Sequence, residues 1–289
     1  IDPTLQQGHT SIAWPKDLLQ DLKKRYVGFL MPEIKNGKTL TEVYNPSCRQ
    51  KQAPGFNWRY LHITALNIAY ISSAIHRTGH VICDIKPQNL LVNEQGLVSI
   101  IDTDSFQISE RNTGKKYRSD MGSAEFTPPE MFNIDFKAVN RSEYQDRFGL
   151  AVIIWLLLFG YHPFSGKWKG VDGQPDIDEL ISKGYWIYGK NSQLHPAPHM
   201  MPLNIVHPAV IKCFRKCFDD GYHNPSCRPS ASEWETALRS AINELVQCSA
   251  VKEHWYASSF GSCYWCKRKK QLNYDIFEEI PGSTTQPVI

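Results

Sequence analysis

Three polar residues bracket a short apolar segment and limit how the chain can fold. Asp84 and Asn89 stand five positions apart, and Asp102 closes the apolar run that follows them. The run predicts a β-hairpin over residues 90–101 with its turn at residues 93–96. Such a hairpin would return Asp102 to the side of Asn89. The fold must therefore bring two carboxylates and one amide to a single place.

These residue types suit phosphoryl transfer, which depends on positioning and charge neutralisation more than on covalent help. Asp84 is the candidate base for the proton of an incoming hydroxyl, and Lys86 is the cation that would steady the phosphate. Asn89 and Asp102 are the candidate magnesium ligands. A lone Asp-x-Lys is usually solvated surface, and a lone Asp after a strand often caps a turn. The ordered set favours the catalytic interpretation.

The stretch resembles the catalytic and metal-binding segments of the protein kinase superfamily, serine/threonine type. Residues 122–130 resemble the end of a kinase activation segment, with Pro-Pro-Glu where the family has Ala-Pro-Glu. The resemblance implies that the Ser123 hydroxyl touches the catalytic aspartate and the lysine after it. It also implies that Arg228 pairs with Glu130.

Two longer patterns agree with the same family. Residues 146–160, which open on Asp146, are apolar on every face and resemble the buried central helix of the kinase large lobe. This apolar run is too short to span a membrane. Residues 58–78 have the helical period of the long helix before the catalytic loop.

The resemblance extends upstream to the hinge between the two kinase lobes. Residues 27–34 read as a strand that leads into this hinge, where Met31 would be the gatekeeper beside the adenine. Pro32 has no N–H donor. We therefore expect the adenine contacts to fall to the backbones of Glu33 and Ile34.

The implied fold class is α+β, with two lobes and a mainly helical large lobe. Residues 1–34 are predicted to form a partial small lobe and the hinge, 35–245 the large lobe, and 246–289 a C-terminal extension. No glycine-rich loop and no Val-Ala-x-Lys pattern precede the hinge, and residues 11–15 and 26–31 are expected to supply two strands. We expect upstream residues to carry the missing motifs; the alternative is a degenerate small lobe.

A narrower resemblance rests on residues 13–15, 101–106 and 127–130. These phrases are similar to bacterial kinase-like proteins associated with helix-hairpin-helix DNA-binding segments and tellurite-resistance loci. The resemblance implies a regulatory protein or a phosphatase as a further partner.

Two positions depart from the family pattern. Ile82-Cys83 stands where most kinases have His-Arg, so a phosphorylated activation loop would lack its usual cationic partner. We therefore expect weak or absent control by loop phosphorylation. Asp104 replaces the glycine of Asp-Phe-Gly, where it either caps the following turn or adds a carboxylate near the metals.

Three cysteines and one histidine near the C-terminus are candidate ligands of a structural zinc, although the Cys-x5-His spacing is less typical of such sites. They are Cys248, His254, Cys263 and Cys266, and the last two form a Cys-x-x-Cys knuckle. A redox pair would need a thioredoxin-like βαβ pattern, which is missing here, and a disulfide is disfavoured in a reducing cytoplasm. His254 could also be a surface histidine.

A second group of cysteines and a histidine is an alternative metal site. It would consist of Cys213, Cys217, His223 and Cys227, although the kinase counterpart of this segment is an ordinary packed helix and turn.

The sequence thus predicts an ATP-dependent serine/threonine kinase with ATP and Mg²⁺ as cofactors, a structural Zn²⁺ and a protein substrate. No signal peptide appears, which favours a cytoplasmic location without membrane contact. A net charge of +3 does not favour nucleic-acid binding. One alternative is a pseudokinase scaffold that acts through partners. The other is a zinc-knuckle interaction or nucleic-acid-binding module, suggested by the basic residues 267–270.

Overall fold

The computed structural model describes residues 8–278. The outer parts of the first and third predicted segments, residues 1–7 and 279–289, lie outside this range. The architecture is α+β, with a helical body and several small antiparallel sheets. Within residues 8–278, every helix is too short or too polar to cross a bilayer.

Nine α-helices build most of the body within residues 8–278. They are α1 (Leu40–Tyr44), α2 (Pro46–Gln52), α3 (Trp58–His76), α4 (Glu143–Phe159), α5 (Ile177–Ser182), α6 (Pro208–Arg215), α7 (Gly221–His223), α8 (Ala231–Asn243) and α9 (Tyr264–Leu272). A π-helical turn, Lys216–Asp220, joins α6 to α7.

The strands are short and pair mainly as hairpins. They are β1 (Asp17–Gln20), β2 (Tyr26–Leu30), β3 (Lys38–Thr39), β4 (Leu90–Val92), β5 (Val98–Ile100), β6 (Ile108–Ser109), β7 (Lys116–Tyr117), β8 (Lys167–Trp168), β9 (Leu194–His195), β10 (Leu245–Gln247) and β11 (Trp255–Ala257). Single 3₁₀ turns lie between them at Pro87–Asn89, Thr103–Ser105, Ala124–Phe126, Pro129–Met131, Leu203–Ile205, Pro225–Cys227 and Ser258–Phe260.

Helices α3 and α4 form the centre of the core. The Asn57 side chain caps α3 by accepting hydrogen bonds from two backbone N–H groups of the first turn. Helix α4 begins with a capping box between Ser142 and Gln145, and it ends at Gly160 in the left-handed conformation (φ 77°). The predicted central helix over residues 146–160 is confirmed, and so is the helix predicted over residues 58–78.

Gly149 allows α4 to approach closely to residues 82–89, the segment called here the catalytic loop. A Cβ on this residue would meet Cγ2 of Ile85 at 2.4 Å and the carbonyl oxygen of Phe126 at 3.4 Å. Any side chain there would push the loop or the activation segment away from the helix. The sequence of α4 therefore sets the position of both segments.

The predicted hairpin of residues 90–101 is confirmed. Strands β4 and β5 pair antiparallel with Leu90 opposite Ile100, and β3 adds to the other edge of β4. This register places Ile101 beside Asn89, and the Asn89 carbonyl accepts a hydrogen bond from the Ile101 N–H (2.9 Å).

The expectation for residues 11–15 was wrong. They do not form a small-lobe strand; Ile12 instead makes an isolated parallel bridge to Ile100 of the large lobe. Ile12 and Ala13 are both buried there, whereas the hairpin of β1 and β2 is largely exposed. The apolar pair gains more burial against β5 than it would gain in a two-stranded hairpin.

The C-terminal extension packs on the large lobe. The indole of Trp265 on α9 packs edge to face against that of Trp58 on α3, with the ring centroids 5.1 Å apart. The buried Arg49 donates to the Ile276 carbonyl (3.1 Å) and stacks over the Phe277 ring. Strand β10 straddles the predicted boundary between residues 245 and 246.

A buried ion pair joins the end of the activation segment to the body. Both terminal nitrogens of Arg228 donate to the Glu130 carboxylate, at 2.7 and 2.6 Å. The Arg228 side chain is 0% exposed, and its Nε also donates to the Gly221 carbonyl. Burial raises the pKa of Glu130, but the hydrogen bonds and charge of Arg228 outweigh it and hold that pKa below its usual value.

We expect Glu130→Gln to lower the free energy of unfolding by about 2–3 kcal/mol, because it leaves the Arg228 charge buried without its counter-charge. The loss should fall below that of a fully enclosed pair, since the Glu130 side chain is 30% exposed. Urea unfolding measures it. The matched control is Glu179→Gln, which breaks an exposed pair with Lys183 and should cost less than about 0.5 kcal/mol. Equal losses in the two variants would contradict the prediction.

Candidate active site and metal centre

The catalytic loop is fixed by Asp146 in the first turn of α4. Its buried carboxylate accepts from the backbone N–H groups of Ile82 (2.7 Å) and Cys83 (2.9 Å), and His76 Nε2 lies 2.9 Å away as a third donor. Cys83 adopts a left-handed conformation (φ 71°), which residues other than glycine seldom do. The carboxylate stabilises this backbone by satisfying its donors.

The predicted base, Asp84, is buried at the next position of that loop. Its Oδ2 pairs with the Lys86 ammonium, and its Oδ1 accepts from the Ser123 hydroxyl at 2.8 Å. The structure thus places Ser123 and Lys86 on the two oxygens of one carboxylate, and the contact that the resemblance implied between Ser123 and Asp84 is present. The two partners fix the orientation of the carboxylate.

The two predicted metal ligands lie side by side. Asn89 Nδ2 donates to the Asp84 carbonyl (3.0 Å) and to Asp102 Oδ2 (3.1 Å). These bonds turn the amide nitrogen inward and leave the amide oxygen, the atom that could bind a cation, on the other side. Asp102 has a left-handed backbone (φ 63°), and its carbonyl accepts from both the N–H and the hydroxyl of Ser105.

The Asp102 carboxyl interacts with a second carboxylate, that of Asp104. Burial raises the pKa of its carboxyl above the usual value, and the nearby Asp104 charge raises it further, against an opposing effect of Lys86. Asp104 itself is exposed in the 3₁₀ turn Thr103–Ser105 and lines the same cleft. A divalent cation here would relieve the repulsion between the two carboxylates.

An open cleft of about 540 Å³ lies between the hinge and the hairpin, a volume within the range of small-molecule and cofactor sites. Its lining residues are Ala13, Met31, Pro32, Ile34, Asn89, Leu91, Ile101, Asp102 and Asp104. The structure therefore brings the hinge residues Met31 and Ile34 to the same space as the predicted metal ligands. Glu33 directs its side chain to solvent, where it pairs with Lys35 at 3.5 Å.

Sequence reasoning missed the apolar floor of this cleft. Ala13, Leu91 and Ile101 face it, although each looked like an ordinary strand or linker residue. Alternation along the hairpin could have suggested Leu91 and Ile101. No sequence signal indicated Ala13, because it reaches the cleft only through the bridge between Ile12 and Ile100.

His162 steadies the segment that follows Ser123. Its Nε2 lies 3.0 Å from the Glu125 carbonyl, and its Nδ1 accepts from the Phe164 N–H. This pattern requires a neutral ring, because Nδ1 must keep its lone pair. Burial lowers the pKa of His162 to about 4.

The structure brings the four predicted zinc ligands together. The Sγ of Cys266 lies 3.6 Å from that of Cys248 and 3.4 Å from His254 Nδ1, which is 3.6 Å from Cys263 Sγ. All four ligand atoms lie within 4.8 Å of one another. A tetrahedral zinc with Zn–S near 2.3 Å and Zn–N near 2.0 Å needs edges of about 3.5–3.8 Å. The donor set and its geometry therefore fit zinc.

Asp275 completes this cluster, and sequence reasoning missed it. Its carboxylate oxygens lie 3.0 and 3.1 Å from His254 Nε2, so they select the tautomer that presents the bare Nδ1 to the thiols. His254 is 0% exposed, which rules out the surface-histidine alternative. All eight cysteines lie in the described residues and are free thiols.

The rival cysteine cluster does not assemble. Cys213 and Cys217 are buried in the hydrophobic core, where burial raises the pKa of each thiol to about 12. Within residues 8–278, the cluster around His254 is the only metal-compatible group that contains three or more His, Cys, Asp or Glu residues.

Part of the basic run on α9 is already engaged within the protein. Arg268 donates to the His199 carbonyl (2.7 Å), and Lys269 pairs with Asp275 (3.2 Å). These contacts reduce the charge available to a nucleic acid, so the nucleic-acid alternative loses support.

Comparison with known proteins gives a family match over most of the chain. A model of the protein kinase domain matches residues 4–237. Protein kinase YegI of Escherichia coli K12 is 31% identical over 278 residues, which cover 93% of this chain and 42% of that protein. A probable serine/threonine-protein kinase of Clostridium perfringens, CPE1738, is 25% identical over 48% of this chain and 19% of its own length. Myosin light chain kinase 2 of Bos taurus is 38% identical over 39% of this chain and 17% of its own length. The matched segment thus spans less than half the length of each of these three relatives.

We expect His162 to make stability fall below neutral pH. The folded-state pKa of about 4 lies under the ordinary 6.5, so the unfolded state binds more protons between these values. The contribution is complete above pH 6.5 and is lost as pH falls towards 4. From pH 7.5 to pH 5 the loss should be about 2 kcal/mol.

Urea unfolding at the two pH values tests this expectation with His162→Gln, which keeps a donor for Glu125 and does not titrate. The variant should lack that part of the pH dependence, whereas the exposed control His223→Gln should retain it. Parallel stability profiles for wild type and His162→Gln would disprove the role of this ring.

Proposed function

We propose that this chain, which belongs to the protein kinase domain family, transfers the γ-phosphate of ATP to a serine or threonine hydroxyl of a protein substrate. The observation that carries the proposal is the convergence of Asp84, Asn89 and Asp102 beside the cleft under the hinge. The family supports protein kinase activity with ATP and Mg²⁺.

In this proposal Asp84 acts as the base. Lys86 and Ser123 hold its carboxylate in one orientation, so that it can accept the proton of a substrate hydroxyl. The Lys86 ammonium lies beside the carboxylate, where it can also balance charge on the transferred phosphate. Because these groups are fixed before substrate binds, little reorganisation is needed during transfer.

Asn89 and Asp102 would hold the magnesium ions. Bound Mg²⁺ would neutralise the phosphates and place them in line with the attacking oxygen. The hydrogen bond between the Asn89 amide and Asp102 keeps both ligands at the floor of the cleft. The adenine is proposed to lie beside Met31 and to bind the backbone of Glu33 and Ile34.

The serine/threonine preference rests on Ser123 and Lys86. In the resemblance derived from the sequence, this hydroxyl and this lysine are the marks of the serine/threonine subclass. Both contact Asp84 in the structure.

The C-terminal cluster is proposed to bind one structural zinc. With Cys248, His254, Cys263 and Cys266 all engaged, a tetrahedral ion would have no open position for substrate. Burial raises the pKa of Cys263 to about 12, and zinc would bind this residue as the thiolate, with release of its proton. The zinc would stabilise the extension that packs on α3.

We expect the full-length protein to transfer radiolabelled phosphate to serine or threonine of a protein substrate. Asp84→Asn should lower kcat about 10³-fold because the base is lost. Asp102→Asn should lower it comparably and raise the magnesium requirement. The control Asp172→Asn changes an exposed carboxylate that does not line the cleft and should match wild type.

Phosphoamino-acid analysis identifies the acceptor. Phosphotyrosine as the sole product would refute the serine/threonine assignment. Nucleotide binding without any transfer would favour the pseudokinase scaffold.

We expect one zinc per chain by elemental analysis of the purified full-length protein. Cys263→Ser with Cys266→Ser should remove it, and Asp275→Asn should weaken zinc binding about 10- to 100-fold because His254 loses its orienting partner. Cys227→Ser, from the rival cluster, is the control and should keep the metal. Zinc that survives the double substitution would contradict this site.

A further inference from the structure

Arg141 is a buried arginine that the proposed reaction does not use directly. It precedes α4 and is 4% exposed. Its Nη1 donates to the carbonyls of Met121 (2.7 Å) and Cys83 (3.3 Å), and its Nη2 donates to the Ser119 carbonyl (3.0 Å). One guanidinium therefore ties the activation segment to the residue next to Asp84.

The arginine is itself held in place by a buried amide. The Arg141 N–H donates to Gln107 Oε1, and Gln107 Nε2 donates to the Arg141 carbonyl, both at 2.8 Å. Gln107 also exchanges two backbone hydrogen bonds with Val81, just before the catalytic loop. The Phe136 ring covers the guanidinium, whose Cζ lies 4.8 Å from the ring centroid. Arg141 is thus preorganised, and it need not wait for a ligand to adopt this position.

We propose that Arg141 is a positioning residue that holds the activation segment in its working place without a phosphate. This inference rests on the proposed kinase function and names how that site is regulated. Cys83 occupies the position where the family has an arginine, and it offers its carbonyl to Arg141. A cation from another part of the chain therefore supplies the missing charge.

The carbonyl partners explain why no phosphate is needed. Charge-assisted hydrogen bonds are stronger than neutral ones, and three of them converge on this guanidinium. The nearest hydroxyl of the segment, Ser119, is buried, and its Oγ accepts from the Met121 N–H at 3.1 Å. A phosphate there would have to displace contacts that are already made.

The restraint lies two residues from the reacting groups. Met121 is separated from Ser123 only by Gly122, and Ser123 donates to Asp84. Loss of the Arg141 bonds would therefore release the segment that orients the base. The cleft proposed to bind ATP is lined by Met31, Asn89 and Asp102 and does not include Arg141, so the affinity for ATP should be spared.

The test compares Arg141→Met and Arg141→Lys with wild type in the full-length protein, before and after phosphatase treatment. Phosphatase-treated wild type should keep its activity within about twofold. Arg141→Met should lower kcat/KM for the protein substrate at least about tenfold, with the KM for ATP changed less than about threefold. Arg141→Lys keeps the charge, but a lysine cannot bind three carbonyls as the planar guanidinium does. Its activity should therefore fall between that of wild type and that of Arg141→Met. The exposed control Arg111→Gln should match wild type.

A second measurement does not depend on activity. Hydrogen exchange of the amides of residues 117–123 should accelerate in Arg141→Met, while the amides of α3 and α4 stay protected. Hydrogen exchange tests the role of Arg141 even if the wild-type protein transfers no phosphate. A failure of the Arg141 proposal can therefore be distinguished from a failure of the proposed kinase function.

Three results would overturn the proposal. One is a loss of activity of tenfold or more after phosphatase treatment that returns on rephosphorylation. Another is unchanged exchange in Arg141→Met. The third is faster exchange throughout the large lobe, which would make Arg141 a general structural residue.

Discussion

The buried carboxylate of Asp146 is the contact on which the site depends. It stands on α4, which is buried along most of its length, and accepts hydrogen bonds from two consecutive amides of the catalytic loop. An ionised carboxylate without donors could not remain buried there. The loop must therefore present its amides, even though Cys83 takes a left-handed conformation to do so. Asp84 inherits its position from this arrangement, as do Lys86 and Asn89 beyond it.

Other contacts between loops and the helical body follow the same rule, that a buried charged or polar group needs hydrogen-bond partners. Arg228 is buried against Glu130, Arg141 against three backbone carbonyls, and the His254 ring against Asp275. Each charged or polar group is enclosed only because its partners come from a different segment of the chain. Every such contact consequently fixes a pair of segments, and together they hold the activation segment, the catalytic loop and the extension on one rigid core.

Local patterns predicted much of this arrangement. The hairpin between Asn89 and Asp102, helices α3 and α4, and the zinc-type cluster all follow from residue spacing and periodicity, which act over short stretches. The assignment of residues 11–15 to a small-lobe strand was wrong, because the partner of Ile12 is Ile100, far along the chain. Propensity cannot distinguish two possible partners for one extended segment.

The sequence by itself determined the chemistry of this protein: two carboxylates, an amide and a lysine at kinase-like spacing, and three cysteines with a histidine near the C-terminus. Only the tertiary structure decided which groups support them. Asp275 behind His254, Arg141 across the activation segment and Ala13 on the cleft floor carry no local signature. Their roles arise from contacts between residues distant in the chain, which local sequence patterns do not specify.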